Sequence, residues 1–99
     1  MPPPLVVIAT RLGPKFPDLR YRLARLMLEA GQTLEAREEL ELVVRTRPNF
    51  LDALALLGLA RYLSGDALGA EEVWRDCLTR RPEDARVEAY LAMLSRGAR

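Results

Sequence analysis

The chain has no histidine, a single cysteine at position 77 and, among 15 basic residues, one lysine, Lys15. Without histidine the commonest metal ligand and the commonest general base are missing. A lone cysteine cannot form an intramolecular disulfide, which excludes the stapled scaffold of a small secreted domain. The preference for arginine over lysine has no folding rationale and fits a GC-rich, bacterial-type composition. Long apolar runs are also missing. The run from Leu5 to Thr10 ends at Arg11, far short of the ~20 residues that span a bilayer. It has neither basic residues before it nor a small-residue cleavage pattern after it, so it is not a signal peptide. A cytoplasmic protein without membrane insertion is expected. What is present is ordinary: 49% apolar and 29% charged residues, with a formal net charge of +1 over 99 residues. That balance belongs to one small globular domain, neither a disordered chain nor a strongly basic nucleic-acid arm.

Self-similarity organises the rest. Sliding the chain by 34 places Pro14 on Pro48 and Pro48 on Pro82. Residues 17–50 then align without a gap on 51–84 with eight identities: Asp18 with Asp52, Leu23 with Leu57, Gly31 with Gly65, Leu34 with Leu68, Ala36 with Ala70, Glu38 with Glu72, Arg47 with Arg81 and Pro48 with Pro82. A fixed period of this size marks a repeated supersecondary unit.

Each unit reads as two helices. In 17–50, Leu19, Leu23, Leu26, Met27 and Ala30 recur at three- and four-residue steps, and Gly31 can take the positive φ needed just past a helix end. Thr33 is the expected cap of a second helix with the stripe Ala36, Leu40, Val43 and Val44, stopping before Pro48. In 51–84 the same logic runs through Leu54, Leu57, Gly58 and Ala60 to Ser64-Gly65. Asp66 then caps a helix carrying Ala70, Val73, Trp74, Cys77 and Leu78. After Pro82, Asp84 caps a fifth helix over about 85–96 with Val87, Leu91 and Leu94, ended by Gly97. Residues 5–12 read two ways. Their β-branched content suggests a strand, whereas the repeat phase, with Val6 over Leu40 and Trp74, makes them the end of a preceding second helix. We expect the helix, covering the open end of the first unit.

These residues resemble the tetratricopeptide repeat family, whose unit is a 34-residue helix-turn-helix. The matching positions are Leu57-Gly58, Ala70, Trp74 and Pro82 in one unit and Leu23-Ala24, Ala36, Leu40 and Pro48 in the other. The resemblance covers 17–84 fully, with weaker flanks. Two departures stand out: the large aromatic early in the first helix is Arg20 or Leu54 here, and the later aromatic is Met27 or Arg61, with Tyr62 beside it to supply a ring. The implied fold is an all-α solenoid with a partial unit at 1–16, repeats at 17–50 and 51–84, and a capping helix at 85–99. Such units stack because none can bury its apolar faces alone.

Catalytic chemistry finds no foothold. Cys77 lies on the inward stripe with Trp74 and Leu78 and has no histidine to activate it, so its role is structural. Glu35, Glu38, Glu39 and Glu41 share a helix with Arg37 and Arg45, and they are expected on a solvated face. Arg25 with Glu29, Arg37 with Glu41, Glu41 with Arg45, Glu71 with Arg75 and Asp76 with Arg80 have the spacing of helix-surface ion pairs. Glu72 and Asp76 lack further oxygen ligands for a metal, and the glycines form no phosphate-cradling cluster. No enzyme, cofactor or metal site is expected. Residues 11–25 carry Arg11, Lys15, Arg20, Arg22 and Arg25 against Asp18, and residues 29–41 carry five glutamates against Arg37. This segregation offers a basic patch for RNA or an acidic peptide. A near-zero net charge and the absence of a base-reading polar code argue against nucleic acid and favour a solvated or head-to-tail assembly face.

The most informative stretch is 53–63, where Arg61 is the only charge in eleven residues. A helix apolar all round should be covered all round. The resemblance implies that first helices line a concave groove. In that phase the groove residues are Tyr21, Arg25 and Leu28, then Ala55, Leu59 and Tyr62, then Ala89, Met93 and Arg96. Chaperone-tail clamps of the family need an asparagine in this face, and the only one here, Asn49, lies in the loop between units. The implied function is a non-catalytic interaction scaffold taking a protein or peptide partner, best an amphipathic helix with an acidic flank. The alternative is a structural module that forms homo-oligomers through the groove or its open repeat ends.

Overall fold

The computed structural model describes residues 16–97. The helix expected over Leu5–Leu12, and the partial unit it would form, lie outside the described residues. Five helices follow one another: α1 (Pro17–Glu29), α2 (Thr33–Thr46), α3 (Leu51–Leu63), α4 (Ala67–Arg80) and α5 (Ala85–Gly97), with no strand among the described residues. The fold is the expected all-α helical repeat. Short turns make chain neighbours antiparallel. Each helix packs chiefly on the one before and after it, and α1 also touches α3.

The two turns within the helix pairs are the same device. Gly31 and Gly65 have φ of +80° and +92°, the left-handed region. In the first turn Gly31 N donates to Leu28 O at 3.1 Å and Gln32 N to Met27 O at 2.8 Å. In the second, Gly65 N donates to Tyr62 O at 3.1 Å and Asp66 N to Arg61 O at 2.8 Å. This is a Schellman closure, which satisfies the last carbonyls of one helix and launches the next. It also corrects the expected cap. The residue after the glycine becomes the N-cap, so α2 begins at Thr33 and is capped by Gln32, whose side chain makes no capping bond. At the equivalent place Asp66 Oδ1 accepts from Gly69 N at 2.9 Å. Asp84 caps α5 as expected, accepting from Arg86 N at 3.2 Å and Val87 N at 3.4 Å.

The core is one continuous cluster from Ala24 and Leu40 through α3 and α4 to Val87, with a smaller group of Leu23, Met27 and Ala36 beside it. Trp74 is its largest buried side chain. Its indole lies against the α3 backbone at Gly58, where a Cβ would overlap the ring, and Nε1 donates to the Ala55 carbonyl at 2.9 Å. The indole stacks on Tyr90 at 4.9 Å and meets Tyr62 at 6.3 Å, so Tyr62 does supply a ring beside Arg61. Cys77 is buried in the same cluster. Burial, aided by Asp76 and Asp84, pushes its thiol up from 9.0 to about 11.

One buried feature is polar. Arg20 and Glu39 form an ion pair with side chains only 6% and 12% exposed. Glu39 therefore does not belong to the solvated face on which its neighbours were expected. One repeat later the same positions hold Leu54 and Val73, both in the apolar core. Surface pairs are ordinary by comparison. Arg37–Glu41, Arg75–Glu71 and Arg80–Asp76 close at 3.4, 2.8 and 3.3 Å, whereas the spacing of Arg25 with Glu29 and of Glu41 with Arg45 produces no ion pair. Arg47–Asp18 at 2.9 Å and Arg81–Asp52 at 3.4 Å join the start of a first helix to the end of its partner in both repeats. As exposed pairs they contribute about 0 to 1 kcal/mol each.

The core and its caps can be tested directly. Glu39→Val removes the carboxylate paired with the buried Arg20 and should lower stability in urea denaturation. Arg20→Leu with Glu39→Val, copying the second repeat, should restore or exceed wild-type stability. Gln32→Asp should install the cap that Asp66 provides and add about 0.5 to 2 kcal/mol; unchanged melting would show that the α2 start gains nothing from a side-chain oxygen. Native Cys77 should resist thiol reagents at pH 8. Because its thiol stays protonated in the fold up to about 11 but ionises from 9.0 when exposed, the unfolded state loses the proton first. Stability should therefore fall as pH rises from about 9 to about 11. Cys77→Ala should lack that component of the slope.

Candidate interaction surface

The residues proposed for a groove sit on α1, α3 and α5. Burial sorts them. Leu28, Leu59, Tyr62 and Met93 are half-buried and pack their inner sides on the main core cluster. Tyr21 is also half-buried, its ring 5.0 Å from Phe50. Arg25, Ala89 and Arg96 are exposed. Ala55 is 2% exposed, and its carbonyl accepts the Trp74 indole hydrogen, so it can serve a ligand only as floor. The face therefore combines half-exposed apolar groups from three helices with arginines on its outer two.

The apolar surplus of α3 is smaller than its sequence implies. Ala53, Leu54, Ala55, Leu57, Gly58 and Ala60 are all buried, because α2 and α4 flank the helix and α1 reaches it. Leu56, Leu59 and Tyr62 remain half-exposed, and Leu63 is 53% exposed. Arg61, at a position where the family has an aromatic, lies half-buried with Nη1 donating to the Gly69 carbonyl at 3.4 Å.

The charge segregation seen along the sequence is partly cancelled in space. Arg20 is buried against Glu39, and Asp18 is held by Arg47. Of the basic segment, Arg22 and Arg25 remain exposed on α1, lining a shallow depression with Leu26 and Glu29. Two features escaped sequence reasoning. A pocket of about 210 Å³ opens between the end of α3, the start of α4 and the end of α5, lined by Tyr62, Ala67, Leu68, Glu71, Leu94 and Gly97. Its walls come from positions far apart in the chain, so periodicity within one helix could not reveal it. The second feature is the exposure of Leu34 and Leu68, 61% and 81%, which the identity of the two positions across the repeat could have flagged.

Among the described residues no group of three Asp, Glu, Cys or His side chains converges as a metal site. None of the described helices is long and apolar enough to cross a membrane.

Comparison with known proteins agrees with this architecture. A family model described as tetratricopeptide repeat matches residues 9–62. The chain is also 37% identical over 60 residues to the TPR repeat-containing protein PA0015 of Pseudomonas aeruginosa, a match covering 61% of this chain and 57% of that relative. The chain thus spans little more than half the length of this relative. With the family model covering more than half of its residues, and with two antiparallel helix pairs closed by identical turns at a 34-residue offset, the chain belongs to the tetratricopeptide repeat family.

Proposed function

We propose that the chain is a non-catalytic protein-interaction scaffold whose face of first helices takes a peptide or amphipathic helix of a partner protein. Repeats of this family generally mediate protein–protein interaction; the finer reading rests on the side chains. The observation that carries it is that Leu28, Leu59, Tyr62 and Met93, from three successive first helices, stay half-exposed while their inner sides pack on one rigid core. Apolar groups held in this way form anchor sites without an ordering cost on the scaffold side. An amphipathic helix offers anchors three and four residues apart and matches such a row. Arg25 and Arg96, exposed on the outer helices, favour a partner with acidic flanks and act mainly by steering and orientation.

Two substitutions test this face. Central anchors commonly carry about 2 kcal/mol or more of binding, so Leu59→Glu should remove a captured partner while circular dichroism remains helical. Arg25→Ala should give a smaller, salt-sensitive loss. The capture is read by mass spectrometry for wild type and variant side by side. Light scattering over a concentration series separates the self-assembly alternative, in which Leu59→Glu lowers the mass of an oligomer instead. If a folded Leu59→Glu protein keeps its partner, recognition lies elsewhere on the molecule.

A further inference from the structure

Most residues shared between the two repeats have a structural explanation. Leu23 and Leu57, and Ala36 and Ala70, are buried. Gly31 and Gly65 take positive φ. Asp18 with Arg47 and Asp52 with Arg81 form the same ion pair twice, and Pro48 and Pro82 follow the ends of α2 and α4. Two shared pairs remain. Leu34 and Leu68 are 61% and 81% exposed, and Glu38 and Glu72 are exposed with no ion-pair partner among the described residues.

Folding needs neither pair. Each leucine is the second residue of its helix, α2 or α4, and each glutamate lies one turn further along the same outer face. The glutamates lie beyond the first turn, where an acidic side chain benefits from the helix dipole. Because α2 and α4 are both antiparallel to α3, they run parallel and present the two Leu-Glu pairs in the same orientation. The edge where they start is also where α3 and α5 end. Arg37 Nη1 donates to Ser64 Oγ at 3.3 Å, tying the first turns of α2 to the α3–α4 connection. Leu63 is exposed at that connection, and Leu68 forms a wall of the 210 Å³ pocket beside it.

We infer that this edge is a second interaction surface, adjoining the face of first helices at Tyr62, and that it receives a basic amphipathic segment of a partner protein. Leucine-like side chains of the segment would cover Leu34, Leu63 and Leu68, one of them entering the pocket, while its lysines or arginines would meet Glu38 and Glu72. Charge selects this occupant over a second copy. Pairing the edge with itself would bring the unpaired glutamates of one molecule against those of the other, and like charges brought together across an interface oppose assembly.

The test uses the full chain and two labelled synthetic helices with leucines three and four residues apart, one carrying lysines on its polar flanks and the other glutamates, followed by fluorescence anisotropy. The lysine peptide should bind saturably and the glutamate peptide should not. Leu68→Glu, at a position too exposed to matter for folding, should weaken binding about tenfold or more. Glu38→Lys with Glu72→Lys should reverse the preference towards the glutamate peptide, and Leu59→Glu should leave lysine-peptide binding unchanged. The inference is overturned if the lysine peptide fails to bind, or if Leu68→Glu has no effect. Loss of binding in Leu59→Glu alone would place the peptide on the face of first helices. Concentration-dependent dimerisation removed by Leu68→Glu would make a second copy the occupant and equally overturn it.

Discussion

The Trp74 indole joins three helices, and the order of the second half of the molecule depends on how closely it can approach α3. A tryptophan inside a small domain needs room and a partner for its N–H. Gly58 supplies the room by having no Cβ, and the Ala55 carbonyl supplies the partner. The same ring then serves as a platform for Tyr90 on α5 and a neighbour for Tyr62 on α3. Tyr62 and its half-exposed neighbours on α3 and α5 are therefore backed by a layer that cannot shift without moving the indole. Rigidity at the surface is inherited from close packing one layer below.

The two repeats meet this packing demand with different side chains. Where the second uses glycine against tryptophan, the first uses Ala24 against Leu40, both fully buried. A larger residue on one helix is matched by a smaller one on its partner, which keeps the summed volume close to constant, the kind of exchange that cores tolerate. The other exchange changes chemistry as well as shape. Arg20 and Glu39 replace Leu54 and Val73, substituting a charged pair for an apolar contact. A buried ion pair is weak evidence for stability because desolvation consumes much of the attraction. Removing one charge of such a pair costs more than exchanging the whole pair for an apolar contact, whereas an apolar contact weakens gradually as atoms are removed.

The architecture was legible because it is local. The period of 34, the glycine after each first helix, the caps at Asp66 and Asp84 and the inward stripe through Trp74 and Cys77 are short-range patterns, and each appears in the structure. What failed needed knowledge of neighbours. Thr33 looked like the cap of α2 because threonine is a good cap, yet the Schellman closure sets the register and moves the cap to Gln32. Glu39 looked solvated because it sits among glutamates. It is three residues after Ala36 and four before Val43, both buried, and that spacing already places it at the margin of the inward stripe. The candidate face was legible as a set of positions, but its exposure was not: Ala55 falls beneath the surface, and the apolar surplus of α3 is mostly consumed by three neighbouring helices.

The arrangement also separates two kinds of surface by helix. First helices α1, α3 and α5 carry Leu28, Leu59, Tyr62 and Met93, while the leucines and glutamates shared across the repeat stand on second helices α2 and α4. In a stacked repeat each unit is stabilised mainly by contacts with its immediate neighbours. The outward residues of the second helices, with Leu68 81% exposed, contribute little to those contacts. Their chemistry is accordingly free of the volume matching that constrains Gly58, Trp74, Ala24 and Leu40. A change at Leu34 or Glu72 would leave the core undisturbed, whereas Leu59 is half-buried with its inner side against the core. The outer edge of second helices is thus a part of this molecule where side chains can vary at little cost to the fold.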